Sequence, residues 1–203
     1  MDFKDIIAGF LTSLIIVFKR FLQLIFTPYK TMRKISKEKD YVQIFIILTL
    51  IFIYFRFSEI VKYGRFSSIP LFSIFLIQLV FTCSFFFLLS RFFTKNLKIK
   101  AFLFTFTYSL FPTIIWFLLN SWLYIILPPP RTMSFLGKGF SIFFIAFTIS
   151  ILAWRVILFY LAVRFSSKLS FYKITFMMIA YLFLIIPYSY LLYYFKLFKI
   201  PFL

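Results

Sequence analysis

The 203-residue sequence has no histidine and only five acidic side chains, all of which lie at or outside the ends of the long apolar spans predicted below. Membrane hydrolases and metal-dependent transferases need a general base, a metal ligand or paired carboxylates within a shielded site. The apolar segments supply none of these groups, so we expect a protein that is not an enzyme and holds no metal or cofactor. The acidic residues are Asp2, Asp5, Glu38, Asp40 and Glu59.

Cysteine and glycine are scarce as well. With Cys83 as the one cysteine, a disulfide within the chain is impossible, and no base is visible to activate a thiolate there. We interpret Cys83 as a small side chain packed in an apolar span. Four glycines and eight prolines in a chain that is 64% hydrophobic fit neither a soluble domain nor a disordered one.

Long apolar runs are what the chain has instead, and five of them reach the roughly 20 residues that a transmembrane helix needs. Backbone groups in hydrocarbon must be paired internally, and these runs lack the alternation of a barrel strand, so helices are predicted. The predicted fold class is an all-α polytopic membrane protein with a transmembrane domain over 41–195. The predicted spans are 41–60, 69–93, 101–127, 139–163 and 174–195, followed by a short tail over 196–203.

Basic residues crowd the loops and bring the net charge to +18. Twelve of them lie on the same side of the membrane as the loop before the first span, and seven lie on the opposite side. The positive-inside rule therefore predicts a cytoplasmic N-terminus and an external C-terminus, in a membrane we take to be the bacterial inner membrane. The loops are too short for a nucleic-acid domain, so the expected partners are anionic lipids, other membrane proteins or a second copy.

Residues 1–27 are apolar enough to be mistaken for a signal peptide or a sixth span. Placed at 100° per residue, their polar side chains form one stripe and their apolar side chains cover the rest. This pattern predicts an amphipathic helix lying on the cytoplasmic leaflet, and a tilted span packed against the bundle is the alternative. No cleavage site follows a basic region, so removal as a signal is not expected. The polar residues are Lys4, Asp5, Gly9, Thr12, Ser13, Lys19, Arg20 and Gln23.

A basic cytoplasmic segment over 28–40 joins this helix to the first span. Thr27 and Pro28 form a suitable N-cap and first-turn pair, which predicts a short helix over 28–36. The segment either docks an anionic lipid or a partner, or it only fixes the topology. The candidate docking residues are Lys30, Arg33, Lys34, Lys37 and Lys39.

Few polar or helix-breaking residues enter the spans, so each is a candidate site. Arg155 lies about 12 Å from the predicted cytoplasmic end of its span, and it either snorkels or points into the bundle toward an anionic ligand or lipid headgroup. Gln78 and Asn120 are expected to form hydrogen bonds between helices. Pro112 and Pro187 each remove a backbone donor and are expected to interrupt their helices.

Four segments in this order resemble the Yip domain family, five-span membrane proteins first known as interactors of Ypt/Rab GTPases. They are TPYKTMRKISKEKDY at 27–41, the Tyr108-x-x-x-Pro112 motif of YSLFP, the Trp154–Arg155 pair, and SKLSFYKITF at 167–176. The similarity covers roughly residues 20–195. The chain lacks the long soluble N-terminal region of the eukaryotic members, which favours a short bacterial form over GTPase binding.

The resemblance implies a non-catalytic protein that acts through interactions, and two functions remain open. The first is a scaffold or adaptor for membrane proteins or anionic lipids. The second is a small transporter, or a membrane subunit of one, for a small anion or a lipid, with Pro112, Pro187, Asn120, Gln78 and Arg155 along its path. The sequence shows no inverted repeat of broken helices, which is the usual pointer to a transport site.

Overall fold

The computed structural model describes residues 3–61, 67–95, 97–126 and 135–195, and all regular elements in these ranges are α-helices. The all-α prediction is therefore confirmed for the described residues. The predicted tail over 196–203 lies outside them. The helices are α1 (Phe3–Phe26), α2 (Pro28–Ile35), α3 (Val42–Val61), α4 (Ser68–Phe93), α5 (Ile99–Ser109), α6 (Phe111–Ile126), α7 (Phe135–Ser167) and α8 (Phe171–Tyr194).

Six helical stretches in the described chain are long and apolar enough to cross a bilayer, which makes this a multi-pass membrane protein. Five of them coincide with the predicted spans: α3, α4, the α5–α6 pair, α7 and α8. The sixth is Ile7–Phe26 within α1, which was expected to lie on the surface. Length and composition alone therefore do not separate α1 from the five predicted spans.

The α5 helix forms the centre of the bundle and packs against α2, α3, α4 and α7. Its side chains from Phe104 to Ser109 are all buried. At the contact with α7, the Thr105 hydroxyl lies 2.6 Å from the Ser166 hydroxyl. Small side chains such as Ala162 and Ser166 let two helices approach closely in a membrane, where apolar burial gives little drive for association.

The third predicted span is broken in two at Leu110. The α5 helix ends at Ser109, and Pro112 is the second residue of α6. Since proline has no backbone N–H, it is tolerated in the first turn of a helix but not in its interior. The predicted interruption at Pro112 is confirmed, whereas α8 continues through Pro187 to Tyr194 without a break.

The α2 helix begins at Pro28, as predicted, but the expected N-cap bond is wrong. The Thr27 side chain makes no capping hydrogen bond to α2. Its hydroxyl instead donates to the Gln23 carbonyl in the last turn of α1, at 3.2 Å. This hydrogen bond links the start of α2 to the last turn of α1 across the one-residue junction between the two helices.

The contacts of α1 reach from the residues just before α3 to the start of α6, where Phe21 stacks on Phe111 with ring centroids 4.3 Å apart. Ser13 contacts Asp40, just before α3, and Arg20 contacts Gln43, in the first turn of α3. Just past the end of α1, Tyr29 packs on Phe165 near the C-terminal end of α7, with ring centroids 4.8 Å apart.

Candidate functional site

Arg155 is the one arginine or lysine in the middle of a described span that lies far from both helix ends. It is twelve residues before the end of α7 at Ser167, about 18 Å along the axis. Its guanidinium nitrogen Nη1 is buried and has no hydrogen-bond partner among the described residues. Of the two predicted alternatives, the structure has Arg155 pointing into the bundle rather than snorkelling to the surface.

A cavity of about 290 Å³ lies beside Arg155, between α7 and α8, and Gln78 of α4 also lines it. A second cavity of about 30 Å³ reaches from Arg155 toward Ser109 and Leu110 at the break between α5 and α6. Arg155, Gln78, Phe159 and Tyr181 line both cavities. The guanidinium therefore lies between a large groove and a small interior void.

A chain of hydrogen bonds fixes the polar groups around this cavity. The Thr82 hydroxyl donates to the Gln78 backbone carbonyl at 2.7 Å, and the Tyr181 hydroxyl lies 2.7 Å from the Thr82 oxygen. Since Thr82 has a single proton and gives it to Gln78, Tyr181 is the donor to Thr82. The Tyr181 oxygen is left as an acceptor on the Arg155 side, while the Gln78 side-chain amide has no described partner.

No carboxylate of the described chain is available to Arg155. Glu38 pairs with Arg20, and Asp40 accepts hydrogen bonds from Ser13 and Gln43. Glu59 pairs with Arg56 at the end of α3, at 3.0 Å. The positive charge at Arg155 is therefore not compensated by these residues.

A second polar group, the Arg20 cluster, ties α1 to the bundle. Arg20 forms an ion pair with Glu38 and donates to Gln43 Oε1 at 2.6 Å. The buried Tyr108 hydroxyl donates to the same Gln43 oxygen at 2.7 Å. Asp40 accepts from Ser13 at 2.6 Å and from the Gln43 amide at 3.1 Å. Each charged group of the Arg20 cluster thus has an internal partner.

The two carboxylates of the Arg20 cluster are held in their charged form. Partial burial acts to raise the pKa of Glu38, but hydrogen bonds from the Lys39 backbone and the Arg20 guanidinium outweigh it, so the pKa lies below its ordinary value of 4.5. Burial opposes charge at Asp40 too, and the bonds from Ser13, Gln43 and the Val42 backbone lower its pKa below 3.8. Both groups are ionised at neutral pH.

The α2 helix and the residues that follow it present a basic surface, which we call the α2 surface: Lys30, Arg33 and Lys34 on the helix, and Lys37 and Lys39 after its end. All five side chains are exposed, and none forms an ion pair with a described residue. On the opposite face of α2, Thr31, Met32 and Ile35 are buried. One face of a short helix is therefore packed into the bundle while the other carries the charge outward.

The remaining predicted site residues do not gather around Arg155. Tyr108 belongs to the Arg20 cluster, and Pro112 is buried at the start of α6. Trp154 packs edge-on against Phe111, with ring centroids 5.5 Å apart. Asn120 is half-buried on α6 and Pro187 is exposed on α8, and neither lines the two cavities beside Arg155. The predicted polar residues thus divide among separate places.

Sequence reasoning missed the residues that complete both polar groups. Arg20 was assigned to the outward polar stripe of α1, although it is the one arginine of that helix and two of the few acidic residues, Glu38 and Asp40, lie in the segment that follows α1. Thr82 is one of the few polar residues of its span, but its partner Tyr181 gave no signal, because tyrosine is common in this chain and the two residues are 99 positions apart.

Neither the family models nor the curated proteins nor the solved structures contain a match to this chain. The resemblance to the Yip domain family therefore stays a prediction based on the four segments named above.

Proposed function

We propose that this protein is a non-catalytic membrane scaffold of the Yip domain type, which holds the α2 surface against anionic lipid headgroups at the cytoplasmic face. The observation that carries the proposal is the division of α2 into a buried face and a charged face. Met32 and Ile35 are fully buried, so the helix is anchored, while the five basic side chains of the α2 surface are exposed and form no ion pair with a described residue. Each basic residue near an anionic membrane contributes about 1 kcal/mol to binding.

The three faces of α1 support a place for this helix in the headgroup region rather than across the bilayer. Ser13, Val17, Phe21 and Leu24 face the bundle. At 100° per residue, an exposed polar face lies on one side of this contact and an exposed apolar face on the other. A helix lying in the interface needs these three environments: protein, water and hydrocarbon. The polar face includes Asp5, Thr12 and Lys19, and the apolar face includes Leu11, Ile15, Phe18 and Leu22.

The topology of α1 is tested by thiol labelling in a Cys83→Ser background. Asp5→Cys and Lys37→Cys place one thiol on each side of α1 in sequence, and both positions are exposed. If α1 lies on the cytoplasmic leaflet, a membrane-impermeant maleimide labels both thiols only in inverted vesicles. Labelling of the two thiols from opposite sides would mean that α1 crosses the membrane.

The α2 surface is tested by lipid mass spectrometry of the full chain in nanodiscs that contain phosphatidylcholine and phosphatidylglycerol. We expect phosphatidylglycerol to be enriched around the protein, and the triple variant Lys30→Gln, Arg33→Gln, Lys34→Gln to lose most of that enrichment. The matched control removes three exposed charges at another place: Arg91→Gln, Lys95→Gln, Lys98→Gln. An equal loss in both triple variants would contradict a specific role for α2.

A further inference from the structure

The groove between α7 and α8 combines a charged side chain with an apolar mouth. The cavity of about 290 Å³ is lined by the polar side chains of Arg155 and Gln78, with the buried Nη1 of Arg155 beside it, and otherwise by apolar and aromatic side chains. This size is close to the lower end of the roughly 300–1,000 Å³ of small-molecule sites, and few polar groups among apolar walls are typical of them. The groove therefore has the composition of a ligand site.

We expect the charge of Arg155 to be compensated by an anion from outside the chain. A buried guanidinium without a counter-charge is unfavourable in a membrane interior, and ionisable groups there normally pair with one another, with a ligand or with water. The described carboxylates are engaged at the Arg20 cluster and at Arg56 or lie on the surface of α1. Nη1 accordingly has no hydrogen-bond partner among the described residues, next to an open cavity.

The walls at the mouth of the groove indicate what kind of anion enters. Leu152 and Val156 on α7 and Leu182 on α8 line the cavity and are 45–50% exposed on the outer surface of the bundle. In a spanning bundle this surface contacts acyl chains, so the groove opens into hydrocarbon. An anion that carries an apolar chain gains contact with these walls, whereas a free anion does not.

The hydrogen-bond pattern at Arg155 and Gln78 is suited to an oxyanion. The proton of Tyr181 is committed to Thr82, so the donors that remain are the Arg155 guanidinium and the Gln78 amide. A guanidinium offers a planar fork that matches two oxygens of a phosphate or carboxylate. We propose that the α7–α8 groove binds an anionic amphiphile, with its oxyanion at Arg155 and Gln78 and its chain along Leu152, Val156 and Leu182.

This site is separate from the α2 surface, and the proposal does not depend on the proposed function. Native mass spectrometry of the full chain, released from nanodiscs of phosphatidylcholine and phosphatidylglycerol, counts the lipids that stay bound. We expect one phosphatidylglycerol to remain on the wild type. Arg155→Gln is expected to reduce its retention about tenfold or more, because a charged hydrogen-bond partner is lost.

Two further variants test whether the effect depends on the site of the charge and on the space in the groove. Arg91→Gln removes an exposed arginine from α4 and is expected to retain the lipid like the wild type. Val156→Trp fills the groove without a change of charge and is expected to displace the lipid as Arg155→Gln does. Equal retention in Arg155→Gln, Val156→Trp and the wild type, with all three variants eluting as folded protein, would overturn the proposal.

The source of the oxyanion is distinguished by a competition arm. Inorganic phosphate is added to the wild type in phosphatidylcholine nanodiscs and, separately, in nanodiscs that contain phosphatidylglycerol. The proposal predicts that phosphate neither binds nor displaces the retained lipid. Displacement of the lipid by phosphate, or saturable binding of phosphate that is lost in Arg155→Gln, would assign the groove to a free anion and overturn the amphiphile. Wild type that retains no lipid at all would also overturn the proposal.

Discussion

Arg20 and Arg155 are both arginines on apolar helices, but their surroundings are opposite. Arg20 pairs with Glu38 and Gln43, and the Tyr108 hydroxyl closes the cluster from the bundle side. Arg155 lies in the middle of α7 beside a cavity, and one of its nitrogens has no partner in the described chain. The first arginine is satisfied by the protein itself, and the second is not.

We infer a structural role for the charge of Arg20 and a role in ligand binding for the charge of Arg155. A partly buried ion pair with several hydrogen bonds holds two elements in one geometry, and loss of one partner leaves an uncompensated charge. A lone guanidinium in an apolar groove contributes nothing of this kind to the fold, and its interaction free energy becomes available only when an anion arrives. Stability should therefore depend strongly on Arg20, and lipid binding on Arg155.

The largest effect is expected at Arg20. Arg20→Gln leaves Glu38 charged and partly buried without its ion-pair partner, and we expect a loss of about 2–3 kcal/mol in the free energy of unfolding. The measurement is reversible unfolding followed by helical circular dichroism. Lys19→Gln, an exposed neighbour on the same helix, is the control and should change this free energy by less than about 0.5 kcal/mol. Similar losses of unfolding free energy in both variants would show that the ion pair of Arg20 makes no specific contribution to stability.

When anionic lipid is absent, Arg155→Leu is expected to increase the stability of the fold, whereas Arg20→Gln decreases it. Replacement of an unpaired charge by an apolar side chain removes an insertion cost, so unfolding in phosphatidylcholine nanodiscs should become less favourable by about 1–2 kcal/mol. The melting temperature in these nanodiscs measures the change. A loss of stability comparable to that of Arg20→Gln would mean that Arg155 supports the fold.

A double-mutant cycle measures the interaction between Arg20 and Glu38. The variants Arg20→Gln, Glu38→Gln and the double variant are compared with the wild type, and we expect a coupling free energy of about 1–2 kcal/mol. The double variant should be more stable than the sum of the single losses predicts, because neither charge is then left alone. Additive losses would show that the two side chains act independently.

Acid pH should weaken the Arg20 cluster to a smaller extent. The pKa values of Glu38 and Asp40 are lowered in the folded state below 4.5 and 3.8, so their stabilisation is complete above these ordinary values. It is lost as the pH falls through the lower folded values. We expect the melting temperature to fall below about pH 4.5, and to fall less steeply in Asp40→Asn than in the wild type or in Asp5→Asn.

The sequence was sufficient to predict the helices and the position of the unusual charge. Long apolar runs define α3, α4, α7 and α8, since no other regular structure pairs their backbone groups in lipid. Pro112 marked the break in the third span, and Arg155 was recognisable as an ionisable residue far from a span end. The basic segment and Pro28 together predicted α2.

The partners of these residues were not predictable, because they depend on which helices become neighbours. Thr82 and Tyr181 meet only when α4 packs against α8, and neither residue type is unusual in this chain. The orientation of α1 was ambiguous for a related reason. Its polar stripe was expected to face water, but Ser13 and Arg20, at one edge of the stripe, turn inward to Asp40 and Gln43.

The most direct test of this contrast is the melting temperature of the wild type and Arg155→Leu as phosphatidylglycerol replaces phosphatidylcholine in nanodiscs. The α2 surface is the same in both proteins, so a difference between the two curves reports on Arg155 alone. We predict that phosphatidylglycerol raises the melting temperature of the wild type clearly more than that of Arg155→Leu. Parallel curves would contradict the assignment of Arg155 as a charge that is compensated from outside the chain.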